Sequence, residues 1–108
     1  MSKPAESRQF RGVYTKVAAG FTTTDVTSIA NGAQATVTVT VPGVALDGTW
    51  VVDGIATSAD PGALDIGARV TAANTVVVVL QNNSGGAIDP PSLTYRVVAM
   101  KLAEHMLL

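Results

Sequence analysis

The chain has 108 residues and contains no cysteine, which excludes disulfide bonds, thiolate nucleophiles and thiolate metal ligands. Aromatic residues are scarce, with one tryptophan, two tyrosines and two phenylalanines. No apolar run approaches the roughly 20 residues that a membrane-spanning helix needs. The polar N-terminal sequence MSKPAESRQFRG lacks the pattern of a secretory signal. The sequence therefore predicts one soluble domain, made in the cytoplasm, that is large enough to bury a core.

Charged residues are few, and they are unevenly distributed. The net charge of −1 excludes a generally basic nucleic-acid-binding protein. Within the first 20 residues, however, four basic residues stand against one acid, whereas the rest of the chain carries three basic residues and seven acids. A basic arm on an acidic body suits an acidic surface of another protein, and suits nucleic acid less well.

Valine, alanine and threonine dominate what is present, with 16, 16 and 13 residues. Valine and threonine are β-branched and fit a pleated sheet better than a helix. The segment QATVTVTVPG alternates strictly, placing Val37, Val39 and Val41 on one face of a strand and threonines on the other. It predicts a half-buried strand that ends at Pro42–Gly43.

Further alternating segments predict the remaining strands and their inward faces. The residues predicted to face inward are, strand by strand, Trp50 and Val52; Ile66, Ala68 and Val70; Val76, Val78 and Leu80; and Leu93, Tyr95, Val97 and Ala99. In the strand that begins near Trp50, Val51 and Ile55 are predicted to lie on the opposite face. A short strand around Val26–Ile29 precedes an Asn31–Gly32 turn, a dipeptide typical of hairpin turns of the primed types. Six to eight short strands separated by turn signals predict an all-β fold, an antiparallel β-sandwich or a jelly-roll-like variant of it.

Three regions follow from this pattern: an extended N-terminal arm over residues 1–20, a β-sandwich over 21–101, and a short C-terminal tail over 102–108. For the stretch from Val13 to Phe21, an edge strand is the alternative to a continuation of the arm. In the tail, Leu102 and Met106 are spaced for one helical turn.

No residue pattern points to catalysis, a metal or a cofactor. His105 has only its neighbour Glu104 as a nearby acid, and a catalytic histidine needs a positioned partner. Asp60 and Asp65 are too few for a calcium loop and fit a turn and a strand start better. Asn82-Asn83-Ser84 matches a glycosylation pattern, but it fits the chemistry of a turn in a chain without a secretory signal.

Two features remain that predict contacts with other proteins. The first is apolar surface on outward faces and in the tail, which predicts a subunit interface made of Val77, Val79, Val98, Met100, Met106, Leu107 and Leu108. Folding of the arm or the tail back over that surface is the alternative. The second is the arm, whose basic and aromatic residues predict a protein contact through Lys3, Arg8, Phe10, Arg11, Tyr14 and Lys16.

From Ile29 to Lys101 the chain resembles small structural proteins of tailed-phage virions. The resemblance lies in the order of IANGAQATVTVTVPG, VALDGTWVV, ARVTAANTVVVVLQNNSGGAID and LTYRVVAMK. It implies a small β-sandwich attached to capsids or tails, and proteins of this size often serve as head decoration, or cement, proteins.

Such proteins bind the assembled shell from outside, commonly as trimers, and reinforce it. The resemblance thus implies a non-enzymatic virion protein on the capsid exterior that binds the major capsid protein and self-associates, a trimer being favoured. The arm lies outside the resemblance, and its role as the capsid contact is a hypothesis from its own basic and aromatic residues. A tail, baseplate or head-fibre module is the second interpretation. A carbohydrate-binding β-sandwich is the third, although such sites generally present aromatic rings and Trp50 is the only tryptophan.

Overall fold

The computed structural model of the protein describes residues 14–103, which form six strands and no helix. The strands are β1 (Tyr14–Thr24), β2 (Gln34–Thr40), β3 (Trp50–Thr57), β4 (Asp65–Ala72), β5 (Thr75–Gln81) and β6 (Leu93–Leu102). They form two antiparallel sheets of three strands, which we name sheet I, in the order β1-β6-β3, and sheet II, in the order β2-β5-β4. The two sheets pack together as a β-sandwich, which confirms the predicted fold class.

The core lies between the central strands β5 and β6 and is closed by β2. Every second residue of these strands is buried, as expected for strands with one face toward the core. The fully or nearly fully buried apolar residues of the three strands are Val37, Val39, Val76, Val78, Leu80, Leu93, Tyr95, Val97 and Ala99. All were predicted to face inward, and each buried valine or leucine contributes about 1.5–3 kcal/mol of transfer free energy.

The valine-rich strand β5 is central in sheet II, which explains part of its two-sided apolar character. Val77 and Val79 point outward, as predicted, and are half-buried. Val77 lies across from Thr38 on one neighbouring strand and Arg69 on the other, whereas Val79 lies between Thr36 and Gly67, which has no side chain. These flanking side chains cover the outward valines incompletely.

Strand β3 departs from simple alternation at a bulge. Val52 pairs with Ala99 and Gly54 pairs with Val98, so Asp53 is an extra residue in the strand. Such a bulge shifts all following side chains to the other face. Ile55 therefore packs against the core, and its predicted position on the opposite face is wrong.

The segment before β2 also differs from its prediction. Val26 and Ile29 are buried, but the segment forms no strand, and only a single bridge joins Ile29 to Ile88. At the following turn, Gly32 has a φ of 82° whereas Asn31 does not have positive φ, and the Ala33 amide donates to the Ala30 carbonyl over 3.0 Å. This is the pattern of a type II turn rather than of a primed hairpin turn.

Strand β1 takes up part of the region that was assigned to the arm. Residues 14–20 form its first half and pair with β6, so they belong to an edge strand of sheet I, the alternative that the sequence left open. The remaining part of the predicted arm, residues 1–13, lies outside the described residues, as does the tail beyond Ala103.

Tyr95 places a hydroxyl in the core that finds no hydrogen-bond partner among residues 14–103. Burying such a group without a partner costs about 1–3 kcal/mol. We therefore expect Tyr95→Phe to raise the free energy of unfolding by about 1 kcal/mol, as measured by chemical denaturation at neutral pH. A loss of stability would show that the hydroxyl has a partner.

The same residue predicts a pH dependence of stability. Burial raises the pKa of the Tyr95 hydroxyl above its ordinary value of 10.0, and the negative charge of Asp25 adds to the rise. The folded state therefore holds the proton more tightly than the unfolded state. This contribution to stability is fully present below pH 10 and is lost as the pH rises through the raised folded pKa. Above pH 10, the free energy of unfolding should decrease more with rising pH for the wild type than for Tyr95→Phe, as measured by chemical denaturation at a series of pH values.

Candidate interaction surface

The outer face of sheet I carries three of the four exposed large apolar side chains of the described residues; the fourth, Leu46, lies in the loop between β2 and β3. Val17 and Phe21 on β1 are 63% and 62% exposed, and Val51 on β3 is 36% exposed. They surround the outward residues of β6, Val98 and Met100, which are half-buried. We name this surface the sheet I face.

The register of the three strands places these residues side by side in rows that run across the sheet. Met100 lies between Val17 and Val51 in the first row. In the second row, Val98 lies between Ala19 and Gly54, which contributes no side chain. The third row is Phe21, Arg96 and Ala56. Two of the three rows are entirely apolar.

One cation is part of this apolar face. The guanidinium carbon of Arg96 lies 5.4 Å from the centre of the Phe21 ring, within the range of cation–π attraction. At exposed sites this attraction is worth about 0.5–1 kcal/mol. Arginine and aromatic side chains are both common anchors of protein interfaces.

Polar contacts end the face at the next row of the sheet. The hydroxyls of Thr23 and Thr94 are hydrogen-bonded over 2.8 Å, and the Thr94 amide donates to the Ser58 hydroxyl over 2.9 Å. The surface thus has an apolar centre and a polar border, the arrangement of a protein–protein contact site.

The outer face of sheet II lies on the opposite side of the sandwich and is more polar. Its central Val77 and Val79 are half-buried, and the outward residues of β2 beside them, Thr36 and Thr38, are exposed threonines. The predicted interface residues are therefore not one patch. Val98 and Met100 belong to the sheet I face, whereas Val77 and Val79 face away from it.

Other predicted contact residues fall outside the structure, and three residues of the face were missed. The predicted contact residues outside the described range are Lys3, Arg8, Phe10, Arg11, Met106, Leu107 and Leu108. Of the predicted arm residues, Tyr14 and Lys16 belong to β1, and Lys16 is exposed. The sequence analysis did not identify Val17, Phe21 and Val51. A signal existed in KVAAGFTTT, where every second residue from Val17 to Thr23 points outward, but two small residues weaken the alternation.

The acidic residues that were considered for chemistry have structural roles. The Asp60 carboxylate accepts a hydrogen bond from the Gly62 amide over 2.9 Å, which closes a turn. Asp65 begins β4 and accepts a bond from the Asn83 side chain over 3.2 Å. Within residues 14–103, no three histidine, cysteine or acidic side chains cluster closely enough to hold a metal ion. No helix of that range is long and apolar enough to cross a membrane.

Trp50 does not form an aromatic platform of the kind that carbohydrate sites use. It is half-buried and packs against the core from the inner face of β3. Phe21 has an exposed aromatic ring, and the Arg96 guanidinium lies near that ring.

The fold and this surface define a small β-sandwich with an exposed, largely apolar outer face on sheet I. Comparison with known proteins adds no relative, since no family model, no curated protein and no solved structure matches the chain.

Proposed function

We propose that this protein is a non-enzymatic structural component of a tailed-phage virion, a decoration or cement protein that binds the assembled capsid and stabilises it. The sheet I face is the observation that carries the proposal, because it provides an exposed apolar surface in which an arginine lies beside an aromatic ring. The resemblance of residues 29–101 to small virion proteins indicates which assembly this surface would join, a tailed-phage virion. The partner would be the major capsid protein, on the outside of the shell.

Self-association through the sheet I face is the first part of this proposal. Burying Val17 and Phe21 against another subunit would contribute about 2 kcal/mol for each side chain. Two sheets that pack face to face lie about 10 Å apart, so a second sandwich can cover this face without any change of fold. A trimer is the form that the resemblance favours.

Stabilisation of a shell by such an oligomer needs no chemistry beyond binding. A protein that binds only the intact lattice stabilises it by RT ln(1 + [L]/Kd), about 2.7 kcal/mol at a hundredfold excess over Kd. An oligomer attaches through several sites at once, which strengthens binding by about 10²–10⁴-fold over a single site. Loss of self-association would therefore also weaken attachment.

The double variant Val17→Ser/Phe21→Ser tests this function. Both side chains are mainly exposed, so the fold should persist while the apolar face is interrupted. We expect the oligomer to dissociate in sedimentation measurements. Co-sedimentation with capsids that lack the protein should then show binding weakened by about 10²-fold, because multivalency is lost.

The variant Val77→Ser/Val79→Ser is the matched comparison on sheet II. These valines are half-buried by their own neighbours, and we expect the oligomer and capsid binding to remain. Loss of the oligomer in this variant alone would move the interface to sheet II. Full binding by both variants would contradict the proposed use of either face.

A further inference from the structure

Sheet II ends at β2, whose outer edge pairs with no strand among residues 14–103. At one end of β2 the Val41 amide donates to the Asn74 carbonyl over 2.9 Å, and at the other end the Asn82 amide donates to the Ala33 carbonyl over 3.0 Å. Backbone groups of an antiparallel strand alternate between its two sides, so the odd-numbered residues of β2 bond to β5. The even-numbered residues point their N–H and C=O groups to the open edge. They are Gln34, Thr36, Thr38 and Thr40.

Strand β1 contacts this edge closely at one end. A methyl group on Gly20 would overlap the Thr40 carbonyl, which agrees with the direction of that carbonyl, away from β5. Beyond this contact, an open cleft of about 330 Å³ separates the two strands. Its walls include Thr22 and Thr24 of β1 and residues 35–38 of β2, and no charged side chain of the described residues lines it. The cleft thus gives access to the free edge of β2.

The other three edge strands carry features that prevent the addition of a strand. Bulges interrupt β1 between Tyr14 and Lys16, β3 at Asp53, and β4 between Val70 and Ala72. Each of these strands also contains at least one charged residue. Proteins protect sheet edges from further pairing by both devices. Strand β2 has neither, since its pairing is regular over seven residues and QATVTVT contains no charge and no proline.

A row of free N–H and C=O groups fits one kind of occupant, an extended backbone. Pairing at Gln34, Thr36 and Thr38 would form about six hydrogen bonds, because each edge residue donates one and accepts one. The inner side of the added strand would lie beside Ala35 and Val37, where small or β-branched side chains fit. Charged side chains would be costly there, because the described walls of the cleft offer no opposite charge.

We propose that β2 receives an extended, uncharged segment of a partner protein as an added strand of sheet II. The choice of partner rests on the proposed function, under which the segment belongs to the major capsid protein. The sheet I face points away from sheet II, so one copy can use both surfaces together. Self-association and strand addition are therefore separate properties of the chain and can be tested separately.

Amide hydrogen exchange at Thr36 and Thr38 tests the edge directly, because these amides point away from β5. Exchange is measured by mass spectrometry with fragmentation to single residues, in the free protein and in the protein bound to capsids that lack it. We expect fast exchange in the free protein and exchange slower by at least about tenfold on the capsid. The amides of Val37 and Val39 point to β5 and are the internal control, with slow exchange in both states.

The variant Thr38→Pro tests the same edge by mutation. It removes one edge donor and leaves the bonds to β5 in place, since an edge strand tolerates proline where its nitrogen faces away from the neighbouring strand. Thr38→Ala is the matched control, which changes the same exposed side chain and keeps the amide. We expect Thr38→Pro to bind capsids about tenfold more weakly than Thr38→Ala, because a hydrogen bond is lost and a partner carbonyl is left unpaired. Sedimentation should show the same oligomer for both variants.

Each other outcome overturns the inference in a recognisable way. Slow exchange of Thr36 and Thr38 in the free protein would show that the chain itself, or another copy, already covers the edge. Unchanged exchange on the capsid, with equal binding by both Thr38 variants, would leave the proposed function standing without strand addition. Failure of the wild type to bind capsids would remove the proposed function and this partner together. If Thr38→Pro does not fold, exchange in the wild type decides alone.

Discussion

Replacing Gly20 by alanine is expected to destabilise the protein by about 3 kcal/mol, a large part of the 5–15 kcal/mol typical of a domain. A methyl group at this position would overlap the backbone carbonyl of Thr40 and would lie 3.1 Å from a methyl carbon of Val41. The first obstacle is backbone, which cannot rotate away as a side chain can. Strand β1 would have to separate from β2, or both sheets would have to shift.

Gly67→Ala is the matched control, since Gly67 also lies in a strand but has no atom of the described residues within 4 Å of the added carbon. Neither glycine has positive φ. Alanine in a strand is favoured over glycine by about 0.5–1 kcal/mol, so Gly67→Ala should be neutral or slightly stabilising. Thermal unfolding of both variants measures the difference. Equal melting temperatures would show that β1 does not pack on β2 as closely as described.

Asn82→Ala is expected to cost a similar amount, about 3 kcal/mol. The Asn82 side chain is fully buried and uses its whole hydrogen-bonding capacity. Its amide donates to the carbonyls of Ile29 and Gly86, over 2.8 Å each, and its oxygen accepts from the amide and the hydroxyl of Ser84. Alanine would remove these bonds. The loop after β5 would keep the Ile29–Ile88 bridge to the segment before β2 but would lose the buried side-chain bond to Ile29.

The neighbouring Asn83 provides the control for this variant. It is exposed, and its side chain takes part in two bonds of 3.2 and 3.3 Å at the surface. Asn83→Ala should change the free energy of unfolding by less than about 0.5 kcal/mol. Urea denaturation of the two alanine variants separates the roles of the asparagines. Similar losses would mean that burial of Asn82 is not what stabilises the loop.

Much of the fold was predictable because most strands alternate without interruption. In β2 and β5, one face is apolar, the other is threonine or valine, and the pairing between them is regular over seven residues. A period of two identifies the inward face directly in such strands. The same reasoning placed Ile66, Ala68 and Val70 correctly toward the core.

Where the chain breaks the period, alternation alone did not predict the outcome. The bulge at Asp53 moves Ile55 to the inner face, and Gly54 is the one local signal for it, because a glycine within a strand often marks a bulge but does not require one. The buried pair Val26 and Ile29 has the composition of a strand, but its backbone forms a single bridge. Bulges and bridges depend on the partner strand, which a local pattern does not contain.

The candidate surface was only partly predictable for a related reason. Alternation assigns Val98 and Met100 to an outer face, but it does not say which strands lie beside β6. Only the sheet order places Val17 and Phe21 next to them, and it places Val77 and Val79 on the other side of the molecule. A contact face formed by three strands that are distant in sequence depends on topology, and alternation carries no information on topology.

The central claim is that this chain is a structural component of a virion, and its abundance in particles tests that claim most directly. Quantitative mass spectrometry of purified phage particles from the source would compare its copy number with that of the major shell protein. The account predicts a copy number comparable to that of the shell protein. Far fewer copies would indicate a tail, baseplate or head-fibre module instead of a decoration protein. Complete absence from the particles would contradict the account.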